Sequence, residues 1–194
     1  MMSCRSQRIA STTDPDVFAV NPWEPNFSWI DDTLAVGGSF PGDRAEALAR
    51  EHGVQAVVDL RGETQPDAVV LRRHGIALLH LPTEDMCGVA MSDLDRGIRF
   101  ANAFLDAGQR VLIHCEHGIG RSATLALCVL VQRGQAPLDA LALMKKQRPL
   151  VSPSPEQFAC WCAWLESHRS TNPVDWLAPS FDEFQAIAYA RREP

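Results

Sequence analysis

The sequence has a single tyrosine, no Cys-x-x-Cys pair and no apolar run near the ~20 residues that a membrane span needs. Its longest apolar stretch lies around Leu125–Val131. A basic excess is missing as well: 18 Lys and Arg against 24 Asp and Glu leave a formal charge of −6, which disfavours a nucleic-acid partner. No apolar core follows Arg5 and Arg8, so no signal peptide is expected. A cytoplasmic protein without membrane association is the corresponding expectation. Cys160-x-Cys162 stands without a histidine at zinc-ligand spacing, so neither a metal nor another cofactor is expected. Internal repeats and low-complexity blocks are lacking too.

What is present fits one globular domain and a monomer. The 194 residues are 46% hydrophobic and 22% charged, enough to bury a core without disulfide staples. The six cysteines, at positions 4, 87, 115, 128, 160 and 162, therefore suit a reducing compartment, most of them as small buried hydrophobes.

Residues 1–22 are read as a flexible polar tail. Short strands are expected at Leu34–Val36, Val54–Leu60, Ile76–Leu81 (stopped by Pro82) and Val111–Ile113, the last an uninterrupted apolar run of the kind buried on both faces. Helices are expected at Asp43–Glu51, Pro66–His74, from Ser92 to before Gly108, and at Ser122–Arg133, Pro137–Gln147 and Ser154–His168. Ser92 with Asp95 is a weak capping box; Ser154-Pro155-Glu156-Gln157 is a strong start signal. Strands alternating with helices give an α/β fold with a central, mostly parallel sheet of four to five strands flanked by helices. Residues 23–170 form the expected main domain, and 171–194 an extension whose Ser180/Glu183 capping box opens a short amphipathic helix.

One stretch carries chemistry: His114-Cys115-Glu116-His117-Gly118-Ile119-Gly120-Arg121-Ser122, between a buried strand and a buried helix. A turn entering a helix N-terminus points backbone N–H groups inward and adds the positive end of the helix dipole, an anion cradle. Gly118 and Gly120 let the chain curl tightly, so the amides from Glu116 through Gly120 can ring a phosphate. Arg121 can grip two phosphate oxygens through its planar fork. Cys115 stands at the base, where dipoles and Arg121 favour thiolate, an in-line nucleophile toward phosphorus.

His-Cys-x-x-Gly-x-x-Arg followed by Ser resembles the signature loop of the cysteine-dependent protein tyrosine phosphatase superfamily. Asn26-Phe27-Ser28-Trp29-Ile30, and Arg148-Pro149 before a Ser/Pro turn, resemble the small atypical dual-specificity members, so the resemblance spans about residues 23–168. It implies a single-domain cysteine-phosphatase fold and a catalytic domain over 23–170. The implied activity is phosphomonoester hydrolysis through a phosphocysteine, acting on phosphotyrosine, phosphoserine and phosphothreonine in proteins or peptides. It also implies a general acid about thirty residues before the cysteine. Asp85 sits there, with Glu84 its adjacent rival and Asp93 and Asp95 later ones at a helix start. By the same resemblance Ser122 donates to the thiolate, His114 holds the loop backbone, and Gln157 occupies the place of a glutamine near the water.

Departures from the family sharpen the substrate expectation. There is no Trp-Pro-Asp, and Tyr189 lies far from any recognition loop, so a deep phosphotyrosine-only pocket is not expected. The signature loop carries Glu116, His117 and Ile119 where phosphoinositide-acting relatives place lysines, and Glu116 at the mouth repels a polyanion. His117 is either a solvent-facing residue or a group titrating near neutrality beside the phosphate. Cys87, two residues after Asp85, is the candidate to shield Cys115 as a disulfide. The competing expectations are a phosphate-reading module that does not hydrolyse, a phosphatase of a small metabolite or lipid, and, less well matched to the Arg121 and Asp85 pair, sulfur transfer or arsenate reduction.

Overall fold

The first described elements form a hairpin, Phe27–Trp29 (β1) and Leu34–Gly37 (β2). The Asp31 carboxylate ties its turn by accepting from the backbone N–H groups of Thr33 and Leu34. The computed structural model describes residues 23–190; the tail expected over 1–22, with Cys4, lies outside them. A 3-10 turn at Gly42–Arg44 leads into Ala45–Arg50 (α1). The chain continues through Val54–Arg61 (β3), Ala68–Arg73 (α2), Ala77–Thr83 (β4), Met91–Leu105 (α3) and Arg110–His114 (β5). Arg121–Gln132 (α4), Pro137–Gln147 (α5), Pro155–Thr171 (α6) and Phe181–Ala188 (α7) complete it.

The five strands lie in the order β1-β2-β5-β3-β4, with β1 antiparallel to β2 and every other pairing parallel. Alternation along the strands splits the core into two layers. Val36, Val58, Leu60, Val111 and Ile113 pack with α3, α4, α5 and α6 on one face. Ala35, Val57 and Leu112 pack with Leu48 of α1 and Leu71 of α2 on the other. The expected α/β fold is thus present, with β5 central and α4 buried along eleven of its twelve residues.

Several boundaries differ from expectation, among them the starts of α1 at Ala45 and α2 at Ala68; two others have a plain physical reason. β4 runs through Pro82 to Thr83, because it is an edge strand and an edge position tolerates a residue without an N–H. Ser92 and Asp95 do not form a capping box; Ala90 is the N-cap of α3 and no side chain caps it. Val89 and Leu94, the staple positions either side of that cap, are both buried in the main core, so packing sets the start. The last long helix, α6, runs past His168 to Thr171. Both strong capping boxes form as the sequence suggests, Ser154 with Gln157 and Ser180 with Glu183.

Parallel pairing decides where chemistry can gather. The C-terminal ends of β2, β3, β4 and β5 all open on one edge, where doubly wound sheets bind ligands. Gly37–Ser39, Asp59–Glu63, Thr83–Asp85 and Cys115 lie at those ends or just past them.

Candidate active site

The loop from Cys115 to Gly120 joins β5 to α4 and curls around the first turn of that helix. Gly120, its N-cap, offers no side chain to the orphan N–H groups of the helix. Among the described residues, the amides of Glu116, His117, Ile119, Gly120 and Arg121 meet no protein acceptor. They are therefore free to donate to an anion. Gly118 makes the curl possible: its φ is +71°, and a Cβ there would strike the Gly37 carbonyl and stand 2.5 Å from Nη2 of Arg148. At Gly120 a Cβ would run into the Gln157 amide.

Cys115 is 3% exposed. Its Sγ lies 3.4 Å from the Ser122 Oγ and accepts from the Gly118 N–H at 3.3 Å. Burial alone pushes this thiol up; the Ser122 hydroxyl, the Ser122 and Gly118 amides and the Arg121 charge outweigh it and bring the thiol below its ordinary value. At the other described thiols that are at least partly buried, burial wins over the few hydrogen bonds present. Burial pushes Cys128 and Cys160 up and Cys162 to about 11, which leaves them inert. Cys87 is exposed, whereas Cys115 is buried, and both are free thiols.

Arg121 is buried at the start of α4 and held from three sides. Nη1 donates to Glu63 Oε2 at 2.7 Å and to the Thr83 carbonyl at 2.9 Å, and Nη2 donates to Glu63 Oε1 at 3.0 Å. Asp85 Oδ1 also lies 3.0 Å from Nη2. That contact places Asp85, whose side chain is 63% exposed, on the rim of the cradle. Nε of Arg121 is buried with no acceptor among the described residues, so the guanidinium keeps a donor for an anion. Of the rival carboxylates, Asp93 pairs with Arg96 on α3, while Glu84 contributes its carbonyl to the turn that follows β4.

Behind the loop, His114 is buried, its Nδ1 donating to the Cys115 carbonyl at 3.3 Å and its Nε2 3.6 Å from Asp59. Burial brings its pKa down to about 4 against the pull of Asp59, so the ring is neutral near neutral pH. Glu116 accepts from the Ser39 hydroxyl at 3.2 Å and lies 3.7 Å from Nη1 of Arg61. Its charge is therefore partly offset, and the expected repulsion of a polyanion weakens accordingly. His117 and Ile119 line the loop through their backbone, with the carbonyls turned away from the cradle: His117 O accepts from Arg148, and Ile119 O from the Ser152 N–H.

Four contributors escaped the sequence reading. Glu63 clamps Arg121, whose hydrogen bond holds the Glu63 carboxyl at about 2. Asp59, fully buried, chelates Arg61 and faces His114. Arg148, 3% exposed, donates from Nε to the Gly118 carbonyl at 2.7 Å and from Nη2 to the His117 carbonyl and Asn26. Ser154 reaches across to the Asp85 loop. None has a fixed spacing from Cys115 that would have signalled it; Arg148-Pro149 stood out without a role, and Ser154 only as a helix cap.

A strand-to-helix loop with a perturbed cysteine, a clamped arginine and a carboxylate on its rim is matched by the family described as a polymorphic toxin system DSP-PTPase phosphatase, over residues 39–135. The chain belongs to this phosphatase family. The phosphatase is 30% identical over 135 residues to the rat protein named phosphatidylglycerophosphatase and protein-tyrosine phosphatase 1, an alignment covering 66% of this chain and 70% of that one. Among solved structures, Tk-PTP in its active form superposes with a TM-score of 0.67 at 27% identity, covering 73% of this phosphatase and 97% of that chain. Human DUSP28 does so with a TM-score of 0.66 at 25% identity, covering 76% and 98%.

Proposed function

We propose that this phosphatase hydrolyses phosphomonoesters of proteins, on tyrosine and on serine or threonine, through a phosphocysteine at Cys115. The observation that carries the reading is the Cys115 Sγ held between the Ser122 hydroxyl and the Gly118 N–H, inside a ring of unpartnered amides. In the first step Sγ attacks phosphorus in line and the bond to the leaving oxygen breaks, while the Asp85 carboxylic acid gives that oxygen its proton. The loop amides and Arg121 hold the equatorial oxygens throughout. In the second step water attacks, the S–P bond breaks, and Asp85, now a carboxylate, takes the proton from the water. Ser122 eases departure of the thiolate by donating to it, and inorganic phosphate leaves. General acid catalysis of this kind contributes about 10²–10⁴-fold.

A second substrate class is favoured by a specific observation, because the name of the rat relative couples a phosphatidylglycerophosphatase to a protein-tyrosine phosphatase. The offset charge of Glu116 leaves the cradle mouth compatible with such a substrate.

The test is phosphate release in EDTA from p-nitrophenyl phosphate, from phosphotyrosine and phosphothreonine peptides, and from phosphatidylglycerophosphate in mixed micelles. Turnover of the peptides, abolished in Cys115→Ser while inorganic phosphate still binds, is the expected result. Turnover of the lipid alone assigns the second class. Binding of peptides with no release of phosphate would make the protein a phosphate reader, and full activity in Cys115→Ser would end the phosphocysteine mechanism.

A further inference from the structure

The residue following Asp85 has an unusual backbone. Met86 has φ +63° and is the only described non-glycine residue with positive φ. It occupies the third position of the turn Glu84–Cys87, which the Cys87 N–H closes onto the Glu84 carbonyl at 3.3 Å. A left-handed residue at that position is normally glycine or asparagine. The residue is 60% exposed, so core packing does not force the conformation. What meets it is a hydrogen bond: the Ser154 hydroxyl donates to the Met86 carbonyl at 2.7 Å, across 68 residues of chain.

Ser154 is 3% exposed and is the N-cap of α6. Its Oγ accepts from the Gln157 N–H at 3.2 Å, and its backbone N–H donates to Gln157 Oε1 at 2.8 Å. A hydroxyl has one proton, and here Met86 receives it. The same short segment braces the phosphate loop, through the Ser152 N–H on the Ile119 carbonyl and Gln157 against Gly120. One end of α6 therefore touches both halves of the site, the cradle and the loop that carries Asp85.

We propose that Ser154 is a positioning residue that latches the Asp85 loop over the phosphate cradle, through its hydrogen bond to the strained Met86 carbonyl. This rests on Asp85 as the general acid. The latch holds the carboxyl where it can protonate the leaving oxygen, and releasing it removes acid catalysis without removing the nucleophile.

Two replacements separate the latch from the helix cap. Ser154→Asp keeps an acceptor for the Gln157 N–H and donates nothing to Met86, whereas Ser154→Thr keeps both. Both are compared with Asp85→Asn on phenyl phosphate, which has a poor leaving group, and p-nitrophenyl phosphate, which has a good one. A missing general acid lowers the poor substrate most. Asp85→Asn is expected to lose about 100-fold more kcat/KM on phenyl phosphate than on p-nitrophenyl phosphate. Ser154→Asp should show the same bias at about tenfold, with the basic limb of its pH profile flattened, and Ser154→Thr should restore wild-type ratios. Any general effect of the added charge on phosphate affinity falls on both substrates alike and cancels in the ratio. An Asp85→Asn protein without leaving-group bias would overturn the acid assignment and the latch with it. A biased Asp85→Asn beside an unbiased, folded Ser154→Asp would overturn the latch alone. If Ser154→Asp melts well below the wild type, Ser154→Gly decides in its place, since glycine is tolerated at an N-cap and donates nothing to Met86: wild-type ratios there overturn the proposal, and the tenfold bias supports it.

Discussion

What sets Cys115 apart from the other described thiols is what surrounds its sulfur. Cys128 on α4 is just as buried and has no comparable donors, and its thiol is pushed up where that of Cys115 is brought down. His114 makes the same point about environment and can be tested by stability. In the folded protein it stays neutral until about pH 4, whereas the unfolded chain protonates it near 6.5. Between those values the unfolded state binds more protons, so stability falls as pH falls through that window. The full shift corresponds to roughly 3 kcal/mol. Urea unfolding of wild type and His114→Gln from pH 7 to pH 4 checks this: the difference between the two should shrink toward acid, and a constant difference would show that His114 contributes no such dependence. The sequence named His114, Cys115, Arg121 and Ser122 because they share nine consecutive residues. It left Glu63 and Asp59 unnamed because a carboxylate on another strand has no spacing rule that ties it to Cys115.

At the scale of the element, the loop from Cys115 to Gly120 keeps its curl because its glycines let it close and its carbonyls are held from outside. Gly118 combines a left-handed backbone with contacts to Gly37 and Arg148. Gly118→Ala should destabilise the fold by about 1–3 kcal/mol. It should also loosen the N–H that Cys115 Sγ accepts, so the pH at which iodoacetamide alkylates Cys115 should move up toward that of an ordinary thiol. An unchanged alkylation profile would mean that the loop absorbs the methyl elsewhere. The capping boxes of α6 and α7 were legible because their signal is local. The start of α3 was not, since burial of Val89 and Leu94, a tertiary matter, sets it.

Across the whole molecule, the C-terminal helix is part of the core and is tied to the segment that braces the site. Phe184 is fully buried against Phe158 and Trp161. Lys145 donates to the carbonyls of Ala188 and Val151, and the Tyr189 hydroxyl donates to Pro153 at 2.8 Å. Phe184→Ala should lower stability by about 3–5 kcal/mol, a fall in Tm of about 10 °C for a chain of this size. A thermal melt within 2 °C of wild type would show that the helix docks without contributing. By itself the sequence determined the alternation of strands and helices, and the loop proposed to cradle and attack a phosphate, because both are written at short range. Only the tertiary structure decided which distant groups complete that loop. Glu63 reaches Arg121, Asp59 reaches His114, Arg148 reaches Gly118 and Ser154 reaches Met86 because parallel pairing brings four strand ends to one edge and α6 starts beside them.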